Sequence, residues 1–118
     1  MESIIFLPTD DLARTQAFYE GVLGFDLRLD QGTCHIYRLS GEAHIGFCTG
    51  LKRISPADSV IVTIVTANVD EVHARLTEQG VQVDGMPRVN DQFQIYHFFA
   101  MDPNGYRVEV QSFLDPRW

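Results

Sequence analysis

One order of elements occurs twice in this chain, and a glycine closes the helical part of each copy. Gly24 ends the amphipathic stretch 9–25, and Gly80 ends the stretch 69–80, about 56 residues later. Each stretch follows an apolar, β-branched run, SIIFLP at 3–8 and SVIVTIVT at 59–66, of the kind that forms strands. In the first copy Thr9 or Asp10 is placed to cap the helix, and Leu12, Phe18, Tyr19, Val22 and Leu23 fall near one face. Strict alternation predicts a strand over 25–30, and turns at Gln31-Gly32 and Ser40-Gly41-Glu42 introduce two more, 33–39 and 43–49. In the second copy Asn68 is the cap, and Val69, Val72 and Leu76 share a face. A short strand over 81–83, a loop containing Gly85, Pro87 and Asn90, and strands over 93–101 and 106–113 follow. The last two are joined by the turn Asp102-Pro103-Asn104-Gly105.

The order is thus strand, helix, strand, strand, strand, twice. A single such module cannot cover both faces of its sheet, so the two should pair. The expectation is an α+β fold: two paired βαβββ modules forming one curved mixed sheet, with helices on the outer face and a concave inner face left open. Residues 1–118 form a single domain, module one covering about 1–50 and module two about 57–114.

Composition narrows the function. With 118 residues, 45% hydrophobic and 21% charged, the chain can bury a core as an ordinary soluble domain. No apolar run approaches a membrane span, and the start, MESIIFLPTDD, is too short and acidic for a signal peptide, so a cytoplasmic protein is expected. A formal net charge of −7 disfavours nucleic acid and anionic membranes and favours cationic or neutral ligands. Cys34 and Cys48 lie in separate apolar segments without a CxxC pattern and read as small buried hydrophobes, with a disulfide or a reactive thiol as the alternatives. His73, toward the polar side of the second helix, reads as solvated.

With the segments DDLARTQAFYEGVLGFDL (10–27) and FFAMDPNGYRVEV (98–110), the chain resembles the vicinal-oxygen-chelate superfamily, which includes glyoxalase I, extradiol dioxygenases, fosfomycin-resistance enzymes and bleomycin-resistance proteins. The resemblance implies a divalent metal held by four inner-face positions, usually His or Glu. Carried onto this sequence, those positions are Ile4, Gly46, Ile61 and Glu109. Only Glu109 can donate to a metal, and one carboxylate among apolar neighbours does not hold a divalent ion against water. No metal and no cofactor is therefore expected. A rearranged site from His44, His97 and Glu109 is the alternative; His44 shares the face of Gly46 by alternation, whereas the parity of His35 and His97 is open.

The resemblance then points to the metal-free, bleomycin-resistance-like members, which are acidic homodimers that bind a drug without modifying it. The leading reading is a metal-independent protein that sequesters an antibiotic or similar organic ligand, and it leans away from an enzyme. The alternatives are a superfamily lyase, isomerase or dioxygenase with a displaced metal site, or metal-free acid–base catalysis by Glu109. Alternation puts Arg107, Glu109 and Gln111 on the inner face and Tyr106, Val108 and Val110 toward the helices. Phe6, His44, Thr63, Arg107, Glu109 and Gln111 are the expected ligand-binding residues. Phe6, Tyr37, Tyr96, Phe98 and Trp118 are candidate aromatic walls, core packing being the ordinary role of most. As the last residue, Trp118 is expected to be disordered or packed across a partner.

Overall fold

Pairing in the first half begins with an N-terminal strand that lies alongside, rather than against, the last strand of its module. In the computed structural model, which describes all 118 residues, β1 (Ser3–Pro8) runs parallel to β4 (Ala43–Cys48), which pairs antiparallel with β3 (Cys34–Ser40) and through it with β2 (Asp26–Asp30). The sheet order is β1-β4-β3-β2. A parallel pair needs a crossover, and α1 (Leu12–Gln16) supplies it, continuing as a π-helical segment, Ala17–Val22. The cap is Asp11, whose carboxylate accepts from the Arg14 amide at 3.0 Å, rather than Thr9 or Asp10. The Thr9 hydroxyl is engaged one step earlier, accepting from the Asp11 amide at 3.1 Å and lying 3.0 Å from the Thr15 hydroxyl.

The crossover buries one sheet face. Tyr19 packs its ring 4.6 Å from Phe47 and 6.0 Å from Tyr37, and all three are inaccessible to solvent. Tyr37 and Phe98 are core residues and not pocket walls. Burial, with Glu20 and Asp30 adding to it, pushes the Tyr37 phenol up to about 12. His35 alternates with Tyr37 onto this helix-covered face, its Nε2 3.3 Å from Asp30.

The second half repeats the pattern: β5 (Ile61–Val65), α2 (Val69–Glu78), β6 (Arg88–Asn90), β7 (Ile95–Met101) and β8 (Arg107–Phe113), in sheet order β5-β8-β7-β6 with β5 parallel to β8. Each module is thus a four-stranded mixed sheet with its own hydrogen-bonded order. Gly24 and Gly80 both adopt left-handed backbone, φ +79° and +75°, which an L side chain resists. Val108, Val110 and Phe98 are fully buried on the face that α2 covers, as alternation predicts.

Three local expectations are corrected. Residues 81–83 form no strand; Val83 makes one isolated bridge to Ala100, and the edge strand is Arg88–Asn90, within the expected loop. Asp84 decides this, since its carboxylate takes the Phe99 amide at 2.8 Å and grips Arg88 at 2.6 Å, bending the chain back alongside β7. His73 is buried, its Nε2 2.8 Å from the Gly85 carbonyl and its ring edge-on to Phe98 at 4.9 Å. Cys34 and Cys48 are directly opposed on β3 and β4 and form a disulfide. Their segments are apart in sequence but adjacent in the sheet. No helix is long and apolar enough to cross a membrane.

Candidate functional site

The face of β5, β8 and β7 opposite α2 carries the chemistry of the second module. The register aligns Thr63 with Glu109 and Glu109 with Phe99, while His97 stands opposite Gln111 and Met101 opposite Arg107. Side chains of directly paired residues share a face, so Ile61, Thr63, Val65, His97, Phe99, Arg107, Glu109 and Gln111 point the same way. Two of these meet at a third, Glu109. The Thr63 hydroxyl donates to its Oε1 at 3.1 Å, and His97 Nδ1 lies 2.8 Å from its Oε2. The Glu109 and His97 side chains are 13% and 8% exposed, so this is a largely desolvated pair and not a surface bridge. Beside it, the Phe99 ring stands edge-on to His97 at 5.4 Å, and the Arg107 guanidinium lies over Phe99 at 5.1 Å while Nε donates to the Asp58 carbonyl at 2.9 Å.

Thr63, Arg107, Glu109 and Gln111 are therefore brought onto one face. Their neighbour His97, named from the sequence only in the alternative metal site and with its face open, joins them beside Glu109. The signal lay in the turn. Asp102 and Tyr106 oppose each other, the Asp102 amide bonding the Tyr106 carbonyl at 2.9 Å, so the loop proper is Pro103-Asn104-Gly105, with Gly105 at φ +86°. A loop of two or four residues would have shifted the pairing by one and turned His97 to the other face.

In the first module, Phe6 and His44 occupy the face opposite α1, in register with Gly46 and Ile4 respectively. His44 is buried, with Nδ1 3.3 Å from the Ser3 carbonyl and Nε2 3.6 Å from the Glu2 carboxylate. Both of its ring nitrogens face the N-terminal strand. The Phe6 ring lies directly over Gly46: a Cβ there would stand 2.5 Å from ring atoms Cδ1 and Cε1. Any side chain at 46 would meet that ring.

The donor set for a divalent metal fails on these residues. Ile4 and Ile61 have no donor atom, Gly46 has no side chain, and both oxygens of Glu109 are engaged by Thr63 and His97. No group of three or more His, Cys, Asp or Glu side chains is placed to hold a metal ion.

Among the other aromatics, Tyr96 turns toward α2 and donates to Asp70 at 2.6 Å. Trp118, expected to be disordered or against a partner, stacks on Phe113 of its own chain at 4.1 Å and 22°. With Val65, Thr66, Ala67 and Ser112 the two rings line a hollow of about 290 Å³.

The sequence over residues 3–110 matches the Glyoxalase/Bleomycin resistance protein/Dioxygenase superfamily. The chain belongs to this superfamily. Solved structures of the superfamily fold agree. TnmS3, an antibiotic-binding protein from Streptomyces sp. CB03234, is 24% identical with a TM-score of 0.81, over 95% of this chain and 94% of that one. A glyoxalase/bleomycin resistance protein/dioxygenase from Nocardioides shows 16% identity and a TM-score of 0.81, over 98% and 85%. Virulence protein STM3117 from Salmonella typhimurium shows 20% identity and a TM-score of 0.74, over 96% and 95%. At these identities the likeness concerns the fold. No curated protein matches the sequence significantly. Within the superfamily, then, the residues of this chain have to argue its function.

Proposed function

We propose that this superfamily member is a metal-independent protein that binds a small organic molecule, of the antibiotic kind, and releases it unmodified. The observation that carries this reading is the fate of the four metal-ligand positions. Two are isoleucines, one is a glycine under the Phe6 ring, and the fourth, Glu109, is held by Thr63 and His97. Each module's face opposite its helix is then apolar with a few fixed polar groups, the usual makeup of an organic-ligand site. Phe6 and His44 from the first module and Thr63, Arg107, Glu109 and Gln111 from the second are the proposed contacts. The fold likeness to antibiotic-binding TnmS3 supports the ligand class. Acid–base catalysis by Glu109 is disfavoured, because both carboxylate oxygens already accept hydrogen bonds.

The reading includes a homodimer, which the unpaired outer edges of β1 and β5 leave room for. It also includes action in the cytoplasm, where the thiol poise opposes the Cys34–Cys48 bond. The reduced chain must then fold and bind as well. A thermal-shift screen tests the proposal, since a specific ligand raises Tm by mass action. A bleomycin-type antibiotic or an aromatic natural product should raise Tm and be recovered chemically unchanged, while zinc, nickel and manganese should not bind stoichiometrically. A tight one-to-one metal complex, or a modified ligand, would sink it.

A further inference from the structure

Resting on the proposed binding function, we infer that His97 is the ligand's hydrogen-bond acceptor: its Nε2, held in acceptor form by Glu109, receives an O–H from an organic molecule bearing a phenolic or enolic hydroxyl. The inference starts from the partners of Glu109. An ionised carboxylate only accepts, so the imidazole at 2.8 Å must donate from Nδ1. A neutral histidine that donates from Nδ1 offers a lone pair at Nε2. That second nitrogen has no hydrogen bond within the chain. Every fully buried side-chain nitrogen and oxygen does have a partner, so Nε2 reaches the surface although the ring around it is buried.

The rest of the face favours a donor on an apolar body. Thr63 gives its hydroxyl proton to the far oxygen of Glu109, which fixes the carboxylate and with it the ring. A carboxylate on the other nitrogen also strengthens an imidazole as a base and acceptor. Phe99 walls one side of His97, and Ile61 and Val65 extend apolar surface along β5. His97, opposite Gln111, stands at one end of this face, and the cation Arg107, opposite Met101, lies at the other. A hydroxyl therefore fits against His97, and a carbonyl or other acceptor against Arg107. His97 and Glu109 hold the ligand, with no proton transferred and no bond made.

Glu109→Gln provides the sharpest test because it keeps the shape and reverses the polarity. With Thr63 still donating to the amide oxygen, the amide N–H₂ faces Nδ1 and forces His97 into the Nε2–H form, which repels an incoming O–H. Two measurements read this. Long-range ¹H–¹⁵N correlation spectra, recorded over a range of pH to find the neutral ring, should show the Nδ1–H tautomer for His97 in the wild-type protein and the Nε2–H tautomer in E109Q. Binding of 2-naphthol and of 2-methoxynaphthalene, which lacks the O–H, should differ by about tenfold in wild type, the worth of one well-placed hydrogen bond. The preference should vanish in E109Q and in His97→Phe. An Nε2–H tautomer in wild type, equal binding of the two probes, or a preference that survives in E109Q overturns the assignment while leaving an organic-ligand protein in place. Binding of neither probe, with no other organic ligand raising Tm, overturns both.

Discussion

A glycine at position 46 belongs to the ring above it. The space a Cβ would need is held by Cδ1 and Cε1 of Phe6, 2.5 Å away, so these two residues are chosen together. Gly46→Ala should destabilise the protein by about 1–2 kcal/mol through overpacking, and most of that loss should disappear in a background with Phe6→Leu. Urea titrations of the four proteins give the coupling, and additive effects would mean that the ring moves aside freely. Tyr37 makes a residue-scale case in pH. Its phenol ionises near 10 in the unfolded chain and at about 12 when folded. The raised value means the neutral form is favoured by folding, so its contribution is intact below pH 10 and is lost as pH rises toward 12. The wild type should lose up to roughly 2–3 kcal/mol over that window, and Tyr37→Phe, which has no proton to release, should lose less. Parallel alkaline denaturation curves for the two proteins would contradict this.

At the scale of elements, the chemistry of ends and edges sets what the sequence discloses. Alternation and β-branched runs placed seven of the eight strands and both helices, because each buries a face that its pattern announces. The eighth, β6, has almost no face of its own: Arg88 and Val89 are exposed, and Asp84 rather than burial holds this edge in place. Burial alone would raise the Asp84 carboxyl, but the Arg88 guanidinium and the Phe99 amide bring it below its usual value. A single side chain fifteen positions from its partner leaves no periodic trace. The same holds at the start of α1, where residue type suggests Thr9 or Asp10 as the cap and geometry places it on Asp11. Asp11→Ala should cost about 1 kcal/mol of stability, and Asp10→Ala much less, in thermal or chemical denaturation. The disulfide couples β3 to β4 across a 14-residue separation, so its removal by Cys34→Ser with Cys48→Ser should cost about 2–4 kcal/mol while retaining the sheet's circular dichroism. A loss of fold would show that the module depends on the bond outright.

For the whole molecule, the repeat was the most legible feature, because two glycine-stopped helices and two sets of four strands repeat along the chain. The candidate site was legible where alternation alone decides, at Thr63, Arg107, Glu109 and Gln111, and illegible at His97, where one residue of loop length decides the face. Net charge is a further whole-molecule property that the sequence carries, and it makes a kinetic prediction separate from the contacts. With a net charge of −7, the protein should draw a cationic ligand from beyond contact distance, and that attraction is screened within about 10 Å at 0.1 M salt. The polar anchors of the site, Glu109 and His97, are largely shielded from solvent and act only after arrival. Raising salt from about 0.01 to 0.3 M should therefore slow association of a cationic bleomycin-type ligand several-fold, with little change in its dissociation rate. A neutral ligand such as 2-naphthol should show neither effect. Stopped-flow measurement of both ligands separates the two contributions. If salt changed dissociation and left association alone, attraction would act within the site, and the acidity of the whole chain would have no part in capture.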